Sequence, residues 1–269
     1  MALPFQGTAW ALSSEGLSAA ATRLGVYAAE IWTVLGVETS GCGYLSDRRP
    51  QILYERHIFH RLTHGRFDDG DISDPDPGGY GPRDASQYDR LNRALLKDSS
   101  AALQSASWGI GQIMGENFPL AGYSSVEDMV TAMCQSEDAQ LSATASFLLS
   151  KNLHSPLRAH DWATFARVYN GPNYAINRYD IRLAAKYQKY SSGLLPDLHV
   201  RAAQLYLSYL GFHPGTVDGV AGPYTLSALS DFQRQNELTL NCLIDQDLVD
   251  QLQAALPPSG TRMAATHAG

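Results

Sequence analysis

Apolar side chains recur every three or four residues along much of the chain, a spacing that predicts amphipathic helices. The first run begins at Ser14, whose hydroxyl can cap a helix, and its apolar positions continue through Leu24 to Leu35. Gly36 and Gly41 suit the end of this helix and the turn that follows it. Similar patterns predict further helices over residues 87–96, 126–150, 162–169 and 174–190.

One segment favours a β-strand. Gln51–Ile58 is rich in β-branched and aromatic residues with partial alternation, which predicts a short strand. Residues 65–89 hold seven Asp, five Gly and three Pro, so we expect a long loop there. The pattern therefore predicts a mainly α fold with a small β element. It shows no succession of alternating strands that would indicate a sandwich or a barrel.

A change in composition near residues 191–196 predicts a domain boundary. The sequence Ser-Ser-Gly-Leu-Leu-Pro interrupts a helical stretch rich in Lys and Tyr, and these small residues are typical of a linker. About 60 residues follow, which is enough for a small helical bundle. We therefore divide the chain into residues 1–195, residues 196–257 and a polar tail, 258–269, that we expect to be flexible.

The composition is that of a folded, acidic protein. Hydrophobic residues make up 44% and charged residues 17%, which excludes disorder as the default. The net charge of −7 disfavours a strongly basic nucleic-acid binder, and no apolar run approaches the roughly 20 residues that span a membrane. The three cysteines are few and far apart, so we expect reduced thiols from cytoplasmic synthesis. The N-terminus lacks the basic start and apolar core of a signal peptide, so if the protein acts outside the cytoplasm, another factor must release it.

Glu38 is a candidate for chemistry because it follows the apolar residues Trp32, Val34 and Leu35 at the end of the first helical run. A carboxyl held against apolar groups resists ionisation, so its pKa rises. A raised pKa suits a general acid near neutral pH. The other interpretation is a solvated glutamate in the last turn of a helix, where negative charge is mildly unfavourable yet common.

Two later segments contain further candidates. Ser105–Gly115 holds three glycines, small hydroxyls such as Ser107, and Gln112. Glycines let a ligand approach the backbone, and the Gln112 amide can donate to and accept from a sugar; the alternative is a site of close helix packing. An Asn-Gly-Pro sequence ends a later helix sharply, so Tyr169 and Asn170 either face a cleft or serve as a buried Tyr and a helix cap.

Taken together and in this order, the three segments resemble the lysozyme-like superfamily of peptidoglycan-cleaving enzymes. Blocks at residues 49–60, 78–81 and 162–172 sharpen the resemblance to the N-acetylmuramidase family found in many phage endolysins, over roughly residues 10–190. The resemblance implies a lysozyme-like α+β catalytic domain in which Glu38 is the catalytic acid. It also implies a sugar cleft lined by Ser107, Gln112, Tyr169 and Asn170.

A second carboxylate is expected because glycosidases usually pair an acid with a base or nucleophile, although several lysozyme-like enzymes use one essential glutamate. The candidates are Glu55, in the predicted strand, and Asp47, just beyond the catalytic turn. We select Glu55 and expect it to flank the cleft nearer to Glu38 than Asp47 does. The alternative is that Glu55 forms an ion pair with Arg56 or another cation.

The histidines do not form a recognisable metal motif. His60 and His64 are spaced for one helix face, but Arg61 stands where the zinc motif has Glu, and no third ligand joins them and His57. The aspartates of residues 65–89 lack the spacing of a calcium-binding EF-hand. We therefore expect no metal site and no cofactor.

Residues 199–253 resemble the peptidoglycan-binding domain type 1, a module of three helices. An amphipathic helix closes at Gly211, the tight turn Val217–Gly222 follows, and Gln233 lies in the second helix. Asn241 and its neighbour stand where Asp-Gly is common in such modules. The resemblance implies a C-terminal three-helix bundle that binds peptidoglycan.

Both resemblances imply an endolysin that hydrolyses the β-1,4 bond between N-acetylmuramic acid and N-acetylglucosamine, with Glu38 as general acid. Such a protein would remain in the host cytoplasm until release, then act on the cell wall as a monomer and cause lysis, without binding nucleic acid or inserting into membranes. One alternative is a lytic transglycosylase, which needs the same acid. A non-catalytic wall-binding protein is disfavoured because Glu38 is present. The linker further predicts that residues 1–195 alone cleave soluble glycan.

Overall fold

The computed structural model describes residues 5–39 and 42–258, and these residues form thirteen α-helices and one three-stranded sheet. The helices up to the predicted boundary are α1 (Ser14–Leu24), α2 (Ala28–Glu38), α3 (Arg56–Thr63), α4 (Gln87–Leu95), α5 (Ser99–Gln104), α6 (Val126–Met133), α7 (Glu137–Ser150), α8 (His154–Arg158), α9 (Trp162–Tyr169) and α10 (Tyr179–Ser192). Those beyond it are α11 (Leu198–Tyr209), α12 (Pro223–Gln235) and α13 (Gln246–Ala254). The predicted fold class, mainly α with a small β element, is confirmed. All but the first residue of the predicted tail, 258–269, lies outside the described residues.

The β element is an antiparallel sheet of three short strands, β1 (Ile52–Tyr54), β2 (Ala106–Trp108) and β3 (Ile113–Met114), in that order. Ser107 in β2 lies opposite Leu53 on one side and Met114 on the other. The turn between β2 and β3 contains Gly109, whose φ of +68° is a left-handed conformation that favours glycine. The sheet therefore holds part of the glycine-rich segment beside β1.

The first helical run is two helices, not the single helix that the spacing predicted. Gly25 ends α1 in a left-handed conformation, and α2 begins at Ala28. The cap of α1 is Ser13, one residue before the predicted Ser14, and its hydroxyl accepts the Gly16 N–H at 2.9 Å. The apolar spacing continues across the break because both helices pack on the same core.

Gly36 does not end the helix, as the sequence suggested, but lies inside α2. A Cβ at this position would lie 3.1 Å from the Tyr190 hydroxyl oxygen of α10. The missing side chain therefore lets α10 pack closely against α2, the helix that ends at Glu38.

The strand predicted for Gln51–Ile58 is shorter in the structure. It covers β1 alone, Glu55 is the N-cap residue of α3, and Ile58 is helical. The apolar residues after β1 belong to an amphipathic helix that buries Phe59. Only the three residues Arg56–Ile58 of the predicted strand belong to α3. They are too few to show a helical period, so the whole segment resembled one continuous strand.

The helix predicted over residues 126–150 is divided into α6 and α7. The N-terminal segment pairs with the chain at this break, because Trp10 N donates to the Gln135 carbonyl at 3.0 Å and Glu137 N donates to the Trp10 carbonyl at 2.9 Å. The Ser136 hydroxyl then caps α7 by accepting the Ala139 N–H at 3.1 Å. Glu137 thus stands in the first turn of α7, next to the N-terminal segment.

A large apolar core joins the helices to the sheet. It buries Trp32 of α2, Trp108 of β2 and Phe165 of α9, and α7 crosses its centre with Leu141 and Leu148. No helix within the described residues is long and apolar enough to cross a membrane.

The last three helices form the predicted bundle, and two glutamines secure its turns. Gln204 of α11 accepts the N–H groups of Asp218 and Gly219 at 3.0 and 2.9 Å. Gln233 of α12 does the same for Asn241, accepting its N–H at 3.3 Å and donating to its side-chain oxygen at 3.1 Å. Gln233 therefore holds the turn closed at Asn241.

Candidate active site

Glu38 is the last residue of α2, and its neighbours are mostly apolar. Val37 and Leu35 are buried, and Glu38 itself is half-buried. Burial raises the pKa of the Glu38 carboxyl, because the charged form loses its water. The Asn170 side-chain amide donates to Glu38 Oε1 at 3.0 Å, which opposes this rise. Burial is the larger effect, so the carboxyl retains its proton at a higher pH than an exposed glutamate does.

Two arginines flank this carboxyl, although no sequence pattern pointed to either of them. Arg83, in the loop before α4, approaches the Glu38 carbonyl at 3.5 Å, and Arg182 of α10 donates to the Val37 carbonyl at 3.0 Å. Their charges lower the pKa of Glu38, but by less than burial raises it. Both cations would stabilise the carboxylate that forms when Glu38 gives up its proton.

Tyr169 and Asn170 lie at the end of α9, where the Asn-Gly-Pro sequence stops the helix. The Tyr169 hydroxyl donates to the Gly111 carbonyl at 2.6 Å, so it ties α9 to the β2–β3 turn. Asn170 is the C-cap of α9 and faces Glu38, and its side-chain oxygen is buried without a hydrogen-bond partner among the described residues. That oxygen keeps its capacity to accept a hydrogen bond.

Ser107 and Gln112 bond to each other within the hairpin. The Ser107 hydroxyl donates to Gln112 Oε1 at 3.0 Å. Gln112 Nε2 donates to the carbonyls of Gly109 and Gln51 at 3.0 and 3.3 Å, and the Gln112 backbone is left-handed, with φ of +50°. Gln112 therefore uses both ends of its amide to brace the turn.

The glycines of this segment serve helix packing, the alternative that the sequence left open. A Cβ at Gly111 would lie 2.1 Å from Thr144 Oγ1, and one at Gly109 would lie 2.6 Å from the Gln140 side chain. Both contacts are with α7. The missing side chains let the hairpin lie directly on that helix, as close-packed interiors require.

Glu55 lies at the start of α3 beside a histidine. One of its carboxylate oxygens is buried without a hydrogen bond from the described residues and lies 3.3 Å from His57 Nδ1. Burial raises the pKa of Glu55, while a hydrogen bond from Tyr80 and the charge of Arg83 lower it. Arg83 therefore acts on both Glu38 and Glu55. Burial also lowers the pKa of His57, which favours its neutral form.

Asp47, the other candidate for the second carboxylate, and Arg56, the proposed partner of Glu55, each bind other groups. Asp47 forms an ion pair with Arg49 at 2.6 Å. Arg56, the cation offered as a partner for Glu55, bonds to the Gly70 carbonyl at 2.6 Å and lies 3.2 Å from Asp74. Of the two candidates, Glu55 is the one that shares a cation with Glu38.

The aspartate-rich loop is held by two arginines and a histidine. Arg93 binds Asp69 at 2.7 Å, Arg90 binds Asp71 at 2.8 Å, and His60 binds Asp68 at 2.7 Å. These pairs fix the loop that carries Tyr80 and Arg83. Within residues 5–39 and 42–258, no three potential metal-binding side chains gather into a site.

Comparison with known proteins gives three findings. The N-acetylmuramidase family model matches residues 27–191, and the model of a peptidoglycan binding domain matches residues 197–252. Among solved structures, the chain is similar to the crystal structure of Burkholderia AP3 phage endolysin, with 40% sequence identity over 67% of this chain and 70% of that chain, and a TM-score of 0.61. No match was found among curated proteins.

The helical fold, its small sheet and the family matches define a peptidoglycan-cleaving glycoside hydrolase. The chain belongs to the N-acetylmuramidase family, whose model covers more than half of it, and it also carries a peptidoglycan-binding domain. Both resemblances drawn from the sequence are thereby confirmed.

Proposed function

We propose that this muramidase hydrolyses the β-1,4 bond between N-acetylmuramic acid and N-acetylglucosamine, with Glu38 as the general acid. The observation that carries the proposal is the environment of Glu38, whose pKa is raised by burial and whose carboxyl accepts a hydrogen bond from Asn170 at 3.0 Å. A protonated carboxyl can donate to the glycosidic oxygen. The match to the N-acetylmuramidase family supports the glycosidic oxygen as the target of this proton.

The reaction then follows from charge balance. The Glu38 proton goes to the leaving oxygen, the glycosidic electron pair follows it, and positive charge develops on the remaining sugar ring. Arg83, Arg182 and the Asn170 amide stabilise the carboxylate that Glu38 becomes. Water adds to the ring carbon and returns a proton to the carboxylate, which restores the acid.

Glu55 supplies the second carboxylate in this proposal. Its carboxylate can accept a hydrogen bond from the attacking water, whose proton goes to Glu38, or can face the developing positive charge. Ser107, Gln112 and Tyr169 act mainly by shaping the cleft, because their polar groups are already bonded to the hairpin. Asn170 is the member of the predicted cleft set with an acceptor left for substrate.

The chain acts as a phage endolysin in this account, in keeping with its similarity to the Burkholderia AP3 phage endolysin. It would be a monomer released from the host cytoplasm to cleave the wall and cause lysis, with no nucleic-acid partner and no membrane insertion. Residues 196–257 would hold the enzyme on insoluble peptidoglycan, which raises the local substrate concentration. We keep residues 1–195 as the catalytic domain in this proposal.

Mass spectrometry of the products tests the reaction. Purified peptidoglycan digested to completion should yield reducing muramic acid ends that carry the added water. A lytic transglycosylase would use the muramyl 6-hydroxyl instead, and its anhydro ends are lighter by one water. If anhydro ends were the main product, the reaction would be that of a lytic transglycosylase and not hydrolysis, with Glu38 still as the acid.

A further inference from the structure

The C-terminal module contacts the catalytic half through a buried ion pair. Arg201, in α11, binds both carboxylate oxygens of Glu137 in α7, with Nη2 at 2.6 Å from Oε1 and Nη1 bonded to Oε2. The two side chains are 1% and 0% exposed. The planar guanidinium forms two parallel hydrogen bonds to the carboxylate. This bidentate, fully enclosed pair therefore fixes the orientation of the Glu137 side chain.

The same carboxylate also holds two segments of the catalytic half. Glu137 Oε1 accepts the Gly43 N–H at 2.8 Å, and Oε2 accepts the Leu12 N–H at 2.9 Å. Gly43 is five residues beyond Glu38. A Cβ at Gly43 would lie 1.9 Å from the Gln140 side-chain oxygen, so the chain passes directly over α7 at this point.

A second connection from α7 reaches the residue after Glu38. Gln140, one turn beyond Glu137, accepts the Ile110 N–H at 2.7 Å. The Ile110 carbonyl in turn accepts the Thr39 hydroxyl at 3.0 Å. The start of α7 therefore holds the chain beyond Glu38 at Thr39 and at Gly43.

We propose that Arg201 is a positioning residue for catalysis, and that the C-terminal module completes the support of Glu38 through Glu137. The inference rests on the proposed role of Glu38. Without the guanidinium, Glu137 would be an uncompensated charge in an enclosed site, so its side chain would draw in water or change its position. Either change weakens its bond to Gly43 and loosens the segment that follows the acid.

This inference opposes the independence that the linker predicted for residues 1–195. Wall binding alone would leave cleavage of small soluble glycans unaffected by the module. Positioning through Arg201 affects cleavage of every substrate, because it acts on the acid itself. Soluble substrates therefore separate the two roles.

The test uses the full chain and soluble, peptide-free oligosaccharides of alternating N-acetylglucosamine and N-acetylmuramic acid. The variants are Arg201→Met and Arg201→Lys, with Tyr209→Phe as the matched control. Tyr209 also bonds across the interface, donating to the Ala9 carbonyl at 3.0 Å, but that bond leads to the N-terminal segment and not to the segment after Glu38. For each variant kcat, KM, the pH profile of kcat and the melting temperature are measured.

Arg201→Met should lower kcat by about tenfold or more with KM changed by less than about twofold, the pattern of lost transition-state stabilisation. The alkaline limb of its pH profile should move to lower pH by about half a unit or more, because water admitted near Glu38 removes the desolvation that raises its pKa. The other groups facing that carboxyl, Arg83, Arg182, Asn170 and Tyr169, are unchanged in all variants.

Arg201→Lys should recover part of kcat, since it keeps the charge but loses the second bond. Tyr209→Phe should keep kcat and the pH profile, whatever its melting temperature.

Unchanged kcat and pH profile in Arg201→Met would overturn the inference. If Arg201→Met does not fold, Arg201→Lys takes its place in the test. In that case, a kcat and an alkaline pH limb equal to those of Tyr209→Phe would overturn the inference. Inactive Glu38→Gln together with unaffected Arg201 variants would refute this inference alone, whereas active Glu38→Gln would refute the proposed function.

Discussion

At the scale of single residues, the site depends on a balance around one carboxyl. Burial raises the pKa of Glu38, while Asn170, Arg83 and Arg182 lower it. A general acid needs both influences, since it must be protonated before reaction and must be stabilised as an anion afterwards. The three polar neighbours stand on different elements, so the balance depends on how those elements pack.

Asn170→Ala should extend activity to higher pH. Its amide hydrogen bond lowers the pKa of Glu38, so the pKa rises further when the bond is lost. Glu38 must be protonated to act, so the alkaline limb of the kcat profile should move upward, even though the maximal kcat falls with the lost contact. Asn173→Ala, at an exposed position three residues on, is the control. An alkaline limb that stays in place would show that this bond does not set the pKa.

Glu55→Gln should lower kcat by about tenfold or more while changing KM little, because its carboxylate is assigned to the water or to the developing charge. Melting temperature separates this role from a structural one. A lower melting temperature with full kcat would mean that Glu55 only supports its surroundings. Glu116→Gln, which removes a more exposed carboxylate paired with Arg61, is the control and should leave kcat unchanged.

The sequence was informative for some site residues and silent for others. Glu38, Tyr169 and Asn170 could be predicted because each stands beside a helix end with a distinctive neighbour pattern. Arg83 could not, since it lies in a loop whose composition indicates only irregular structure, although the Gly-Gly-Tyr-Gly block just before it was a partial signal. Ion pairs between that loop and α4 place it over the site, and such pairing over long distances leaves no local pattern.

At the scale of elements, α7 is the support on which the β2–β3 hairpin rests. Gly109 and Gly111 have no Cβ, which lets Gln140 and Thr144 of α7 approach the turn. The turn in turn holds Tyr169 through the Gly111 carbonyl at 2.6 Å. The position of Tyr169 therefore depends on a helix that carries none of the predicted site residues.

Gly111→Ala should destabilise the protein by about 1–3 kcal/mol, the usual cost of forcing extra volume into a packed interior. The added Cβ would lie 2.1 Å from Thr144 Oγ1. Thr144→Ala in the same chain should recover part of the loss, because it removes the nearest obstructing atom. Denaturant unfolding of the single and double variants measures both effects, and equal stabilities for the single variant and the wild type would contradict this packing account.

Helices were predicted better than their interruptions. The apolar period continues across Gly25 and across residues 134–136, because the helices on either side of each break face a common core. The second break depends on Trp10, which is far away in sequence and pairs with Ser136. Periodicity detects which face of a helix is buried but does not detect a distant segment that inserts between two helices.

At the scale of the whole molecule, the parts of the chain before and after residue 196 share a buried interface. Ala9, Cys42 and Tyr44 of the first part pack into the core of α11, α12 and α13. The Arg48 guanidinium also donates to the Pro257 carbonyl at 2.7 Å. The linker composition gave no sign of this interface, since Arg201 and Glu137 each resemble an ordinary helix-surface charge in the sequence.

Scanning calorimetry should show one unfolding transition for the full chain, because parts that share a core and an enclosed ion pair unfold together. Removing one partner of such a pair costs about 3–5 kcal/mol, so Arg201→Met should lower the transition temperature or separate a second transition. Arg234→Met, which breaks an exposed pair with Asp231, should change little. Two resolved transitions in the wild type would contradict the shared interface.

The central claim, that Glu38 is the acid of this muramidase, is tested most directly by the turnover of Glu38→Gln on purified peptidoglycan. The substitution keeps the shape of the side chain and removes the proton donor, so turnover should fall by at least about a hundredfold. The melting temperature should not fall, because the neutral amide carries no charge whose desolvation would cost free energy at this half-buried position. A folded variant with turnover close to that of the wild type would contradict the account.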